Sequence, residues 1–174
     1  MIEIRIATQD DILNLIEHEI NHMQELGYND LPMHPFPTDY NFSRSEERKS
    51  IPFARDLMTP GWKRSIIGLD NGKIIAHLNL NGNIQSDLHR TKLGMGMDSH
   101  YRGQGLGKRL IQFAIQFCRE NKIEYIDLSV FAHNIPAIKL YKSCGFKQIG
   151  LIEDCFRMNG LIIDDIQMSL KISS

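Results

Sequence analysis

The sequence predicts one mixed α/β domain, and three observations carry that prediction. Asn71-Gly72 sits between two apolar runs, a strong two-residue hairpin signal. A glycine-rich turn, Arg102 to Gly107, joins an apolar strand to an amphipathic helix. Near the C-terminus Ile166, Met168, Leu170 and Ile172 alternate with Gln167, Ser169 and Lys171, the period of a strand with one buried face. Hairpins imply antiparallel neighbours, whereas strand-helix-strand runs imply parallel ones. The expected sheet is therefore mixed rather than a pure βαβ repeat.

The elements follow in order. Ile2, Ile4 and Ile6 alternate with Glu3 and Arg5 as a first strand. Thr8 precedes Asp10 and Asp11, a helix start with acids at the positive end of the dipole. Ile12, Ile16, Ile20 and Met23 continue at helical spacing as the inner face, and Gly27 stops the helix. Pro32, Pro35 and Pro37 make 30–39 a loop. A polar, helix-compatible stretch covers 43–57, interrupted by Pro52 and closed by Pro60-Gly61. The hairpin strands run Ser65–Leu69 and Ile74–Leu80, the second with Ile74, Ala76, Leu78 and Leu80 on one face. Another strand spans His89 to Met97. The helix from Gly105 to Asn121 carries Leu106, Leu110, Phe113, Ala114, Phe117 and Cys118 as its apolar stripe. Ile126, Leu128 and Val130 mark a strand. Pro136 sits in the first turn of a short helix that ends at Cys144-Gly145. Strands from Phe146 to Glu153 and around Ile166–Ile172 complete the chain.

Composition sets the class. The 174 residues suit one domain, 1–174, with 42% hydrophobic and 24% charged residues. Those fractions exclude a disordered tail, a collagen-like chain and a disulfide miniprotein. No apolar run approaches the roughly 18 residues of a membrane span. Met1 to Ile6 alternates charged and apolar residues, unlike a signal peptide. Twenty basic and twenty-one acidic residues leave a net charge of −1, so neither nucleic acid nor membrane is an expected partner. Cys118, Cys144 and Cys155 form no Cys-x-x-Cys pair, consistent with a reduced, cytoplasmic protein.

The glycine-rich turn is the sharpest chemical signal. Arg102-Gly103-Gln104-Gly105-Leu106-Gly107 leaves a strand and opens a helix. Glycines let a ligand approach the backbone, and free amides at a helix N-terminus suit a phosphate. Arg102, Lys108 and Arg109 add positive charge. A tight connection with glycines placed only for packing explains the same residues equally well. The spacing does not match a P-loop, since no Ser or Thr follows Lys108, nor a clean G-x-G-x-x-G.

Read together with its flanks, the segment resembles the acetyl-CoA loop of the GCN5-related N-acetyltransferases (GNAT). Leu93-Gly94-Met95-Gly96-Met97 resembles the bulged strand before that loop. Leu128 to Asn134 resembles the next strand with its asparagine, and Ala137 to Phe146 the following helix with its A-x-x-L-Y and G-F signatures. The similarity is specific from Leu93 to Phe146 and looser beyond. The resemblance implies a central mixed, mostly antiparallel sheet of about seven strands flanked by about four helices. It also implies acetyl-CoA as cosubstrate, no metal, and acetyl transfer to an amine by direct attack in a ternary complex.

The resemblance assigns roles residue by residue. Met95, Gly96 and Met97 offer backbone groups to the pantetheine arm. Gln104, Gly105, Leu106, Gly107 and Lys108 supply amides to the pyrophosphate, with Arg102 and Gly103 setting the approach. Asn134 and Ala137 meet the cofactor arm, and Asn134 also suits a helix N-cap. Tyr141 matches the general acid. A phenol of pKa about 10 can protonate or hydrogen-bond a leaving thiolate whose thiol has a pKa of about 8.5. Packing of its ring is the plainer alternative. The base is open among His89, His133, Asp98, Glu153 and Asp154. The segments 30–39 and Glu46 to Lys49 border the acceptor site by the same resemblance.

Two other readings stand beside this one. His18-Glu19-Ile20-Asn21-His22 matches the H-E-x-x-H pattern of zinc hydrolases. Helical geometry turns His18 and His22 away from the Ile12–Ile16–Ile20 face toward solvent, and His34 falls at the wrong spacing for a third ligand. A CoA-binding sensor without catalysis is the second. The acceptor, whether small molecule or protein, is not legible, and dimerisation through the alternating C-terminal strand is left open.

Overall fold

A computed structural model describes residues 1–23, 25–33 and 55–172. Its strands are β1 (Glu3–Ile6), β2 (Lys63–Asp70), β3 (Lys73–Asn81), β4 (Arg90–Met97), β5 (Tyr125–Phe131), β6 (Lys147–Met158) and β7 (Leu161–Lys171). The α-helices among the described residues are α1 (Ile12–Met23), α2 (Leu106–Glu120) and α3 (Ile135–Ser143). All seven strands form one sheet in the order β1-β2-β3-β4-β5-β7-β6. Every pairing is antiparallel except β4 with β5. The mixed, mostly antiparallel sheet is the one expected. The count of helices is three among the described residues, against about four. The stretch 43–54, His34, and Glu46 to Lys49 lie outside the described residues.

Turn chemistry sets the register. Asn71 and Gly72 take φ of 50° and 80°, the pair of positive values that a two-residue hairpin turn requires. A second Asn-Gly turn was not anticipated. Asn159 and Gly160, at φ 52° and 74°, connect β6 to β7. Both C-terminal strands are consequently longer than the sequence suggested, β6 reaching Met158 and β7 starting at Leu161. Register shifts at Gln148/Gly150 and Ile152/Phe156 break the period-two pattern of β6, which is why its length was unreadable.

The sheet is covered on both faces. On one side Ile66, Ala76, Leu78, Leu93, Met97 and Val130 pack with Leu106, Leu110, Ala114 of α2 and Ile138, Tyr141 of α3. On the other, Ile67, Leu69 and Ile74 pack against Ala7 and Leu15. Burying a Leu or Ile side chain contributes about 1.5–3 kcal/mol. The inner face of α1 differs from expectation. Ile12, Leu15, His18 and Glu19 are buried, while Ile16 and Ile20 are half-buried. A count of apolar residues turned this helix the wrong way, because part of what it buries is polar and finds polar partners on β3.

Candidate active site

The site begins where one pairing stops. β4 and β5 are matched only from Arg90–Tyr125 to Lys92–Asp127. Beyond that point β4 continues on β3, from Asn81↔Lys92 to Ala76↔Met97, and β5 continues on β7. The two parallel strands therefore splay. The expected bulge within Leu93–Met97 is not seen against β3, where register is unbroken; the irregularity lies on the β5 side. The closed end is clamped. Arg90 Nε and Nη2 donate to the two oxygens of Asp127 at 2.7 Å each, and the guanidinium lies 4.2 Å over the Tyr125 ring.

The open end is a cavity of about 810 Å³. Met95, Gly96, Met97, Arg102, Gly103 and Gly105 line it from β4 and the loop. Gly107, Lys108, Asn134, Ala137 and Tyr141 line it from α2 and α3. Gln104 and Leu106 do not. Gln104 donates to the His100 carbonyl at 2.6 Å, and Leu106 is buried in the core. Neither placement conflicts with a role for their backbone amides.

Local sequence explains the loop's shape. Gly103 and Gly105 have φ of 75° and 81°, where a side chain is strained, and a Cβ there would face open space. Gly107 is small for a different reason: its Cβ would meet Leu140 Cδ2 at 2.8 Å. Gly105 is the N-cap of α2 and offers no side-chain cap, so the first amides stay available to a ligand. Arg102 is less available than its charge suggested. It donates from Nε to the Met97 carbonyl at 3.1 Å and forms an ion pair with Glu25.

On α3, Asn134 caps the helix by accepting from the Ala137 amide at 3.3 Å, the structural role anticipated for it. Tyr141 is buried with its ring edge-on to Phe146, centroids 5.7 Å apart. Burial pushes its phenol up to about 12. Its hydroxyl makes no hydrogen bond among the described residues, and the residue lines the cavity. Such a phenol stays protonated and can donate to a developing thiolate.

The cavity has a second wall that sequence reasoning missed. Alternate residues of β3, His77 and Asn79, face α1, because Ile67 and Ser65 pair opposite them. With Glu19 and His22 from α1 and Asp165 from β7 they line the same cavity. Asn79 Nδ2 donates to Glu19 Oε1 at 3.1 Å, and Ser65 Oγ donates to Asn79 Oδ1. Gly96 is small because its Cβ would lie 2.5 Å from both His22 Cδ2 and His77 Cε1. The polar residues His77 and Asn79, alternating inside an otherwise apolar strand, were the readable signal.

None of the five base candidates lines the cavity. His89 stacks edge-on with Tyr125 near the closed end, centroids 6.1 Å apart. His133 Nε2 is 2.7 Å from the Pro32 carbonyl. Glu153 and Asp154 are exposed on β6, with Asp154 bound to Arg157. Asp98 lies 2.9 Å from His18. The orientation of the H-E-x-x-H residues is corrected as well. His18 is buried and His22 faces the cavity, rather than solvent. Among the described residues no group of three or more His, Cys, Asp or Glu is arranged to hold a metal ion.

Comparisons with known proteins agree with this geometry. The model of the acetyltransferase (GNAT) family matches residues 26–146. The L-amino acid N-acetyltransferase AaaT of Escherichia coli is 30% identical over 115 residues, covering 63% of this chain and 68% of that protein. N-acetylaspartate synthetase of Xenopus tropicalis is 35% identical over 82 residues, 47% of this chain and only 30% of the relative's length. The structure of yncA from Salmonella typhimurium with its cofactor acetyl-CoA superposes with a TM-score of 0.75 over 100% of this chain and 95% of that one, at 17% identity. A splayed parallel pair, a glycine loop at its mouth and a family match across both lead to one conclusion: the chain belongs to the GNAT family of acetyltransferases.

Proposed function

We propose that residues 1–174 act as one acetyltransferase domain that binds acetyl-CoA in the β4–β5 opening and passes the acetyl group directly to an amine. One observation carries this reading: the strands part beside the uncapped N-terminus of α2. Peptide groups of Met95 to Met97 have lost their β5 partner there and can bind an amide-bearing arm. The loop glycines leave room for a pyrophosphate at the amides of Gly105 to Lys108. Acetyl-CoA supplies an activated acyl group. Tyr141, protonated and lining the cavity, donates to the leaving sulfur. A covalent cysteine route has little support: none of the three cysteines lines the cavity, and burial pushes the Cys118 thiol up to about 12.

The acceptor enters from the α1 side. Glu19, which accepts from Asn79 and lies 4.0 Å from Lys63 Nζ, and Asp165, which accepts from Gln167, bring two buried carboxylates to the cavity, a lining better suited to a cationic amine than to an anion. AaaT, by its name, acts on L-amino acids, and a single free amine of that size is the first acceptor class to test. The test measures CoA thiol released from acetyl-CoA with amino acids, polyamines and peptide N-termini in parallel. Release that depends on one amine class supports the reading. Acetyl-CoA binding without turnover on any class favours a sensor module.

A further inference from the structure

The polar cluster beneath α1 has an order that fixes where its hydrogens lie. His18, Glu19 and His77 are each more than nine-tenths buried. His18 Nδ1 and His77 Nδ1 are 3.0 Å apart, so one nitrogen carries a hydrogen and the other a lone pair. His18 Nε2 lies 2.9 Å from Asp98 Oδ1, a contact too bent for a straight hydrogen bond. A carboxylate offers only lone pairs, so His18 Nε2 carries the hydrogen. A His18 ring carrying that single hydrogen has a bare Nδ1, and His77 then donates to it. Burial drives the His77 pKa down to about 3, which keeps that ring neutral. Its Nε2 is left as a bare acceptor. The neighbouring ring atom, Cε1, abuts Gly96, and both residues line the cavity. The charged and titratable groups around this ring are His18, Glu19 and His22 from α1, Lys63 from β2, and Asp98 after β4.

We propose that His77 Nε2 is the base that takes the proton from the acceptor's ammonium, and that His18 and Asp98 are positioning residues that set its tautomer. The proposal rests on the acetyl-transfer reading above. The ammonium N–H bond breaks, and its electron pair stays on the acceptor nitrogen, which becomes nucleophilic. The proton bonds to His77 Nε2, while the hydrogen on His77 Nδ1 crosses to His18 Nδ1. Positive charge then rests on His18 beside the Asp98 carboxylate rather than on desolvated His77. After the product leaves, the hydrogen returns to His77 Nδ1, and Nε2 releases its proton to water entering the cavity.

The first test needs no acceptor. Nitrogen-15 imidazole NMR of the full chain reads each tautomer directly. The expected result at neutral pH is His77 hydrogenated on Nδ1 and His18 on Nε2. His77 hydrogenated on Nε2 overturns the proposal. The second uses whichever amine turns over. His77→Gln lowers kcat/KM about 100-fold at neutral pH, the scale of a general base. The loss closes as pH rises and free amine accumulates, and acetyl-CoA affinity is unchanged. Asp98→Ala lowers kcat and mixes the His77 tautomers with the same recovery at high pH. A loss in both variants that does not change with pH overturns the base assignment. Acetyl-CoA binding by wild type is followed by thermal shift in the same samples. Its absence in a folded protein overturns the acetyl-transfer reading itself, whereas binding with the wrong tautomer overturns only the role of His77.

Discussion

His18 and His77 meet Nδ1 to Nδ1 at 3.0 Å, although 59 positions separate them in the chain. Their contact ties α1 to β3, and His77 lines the cavity beside Gly96 of β4. A polar pair in this position couples stability to pH.

The native His77 ring titrates near 3, because burial disfavours its charged form, whereas an unfolded histidine titrates near 6.5. Between those values the unfolded chain holds more protons, so stability falls as pH drops. The contribution reaches about 1.4 kcal/mol per pH unit. Urea unfolding from about pH 6.5 down to 4.5 is expected to show a shallower pH slope for His77→Gln than for wild type. Equal slopes would mean that His77 takes up its proton as readily in the folded chain as in the unfolded one.

Tyr141→Phe removes the hydroxyl and leaves the ring against Phe146. Steady-state kinetics should show kcat reduced about 100-fold, with acetyl-CoA affinity unchanged. Since the native phenol is pushed up to about 12, its ionisation adds no alkaline decline to the wild-type profile below about pH 10. Full turnover in the Phe variant would assign the hydroxyl no part in the chemistry.

Gly96→Ala places a methyl 2.5 Å from two imidazole rings held on α1 and β3. The expected cost is about 1–3 kcal/mol, typical of overpacking, and thermal melting measures it. A variant as stable as wild type would show that the rings move aside freely.

Asp127→Ala opens the clamp at the closed end of the cavity. It removes both Arg90 contacts and the bond from Ser169 Oγ at 2.6 Å. The groups are partly exposed, so the loss should be about 1–2 kcal/mol. Acetyl-CoA should also bind more weakly in isothermal titration, because the clamp fixes the angle at which the strands part. Unchanged affinity would separate the clamp from the cavity.

Sequence made the sheet and one wall of the site legible. Asn71-Gly72 gave the first hairpin because only a few dipeptides tolerate two successive positive φ values. Gly103 and Gly105 marked the loop by the same physics. Asn159-Gly160 carried that signal too, and the bulges of β6 hid the alternation that would have drawn attention to it. The opposite wall was legible only in part: His77 and Asn79 break the apolar run of β3, but nothing in the sequence pairs them with α1. His18, Glu19 and His77 are buried through contacts between α1 and β3, and no periodicity of apolar residues reports a partnership 59 positions away. The base candidates were picked by proximity in sequence to the loop, and none of them lines the cavity.

Isothermal titration of acetyl-CoA into the folded chain tests the central claim most directly. The account predicts one saturable site whose affinity falls when Gly105 is replaced by Ala, since φ of 81° holds the amides of α2 open. A folded wild-type chain that takes up no acetyl-CoA, or a Gly105→Ala variant that binds it unchanged, would contradict the placement of the cofactor between β4 and β5.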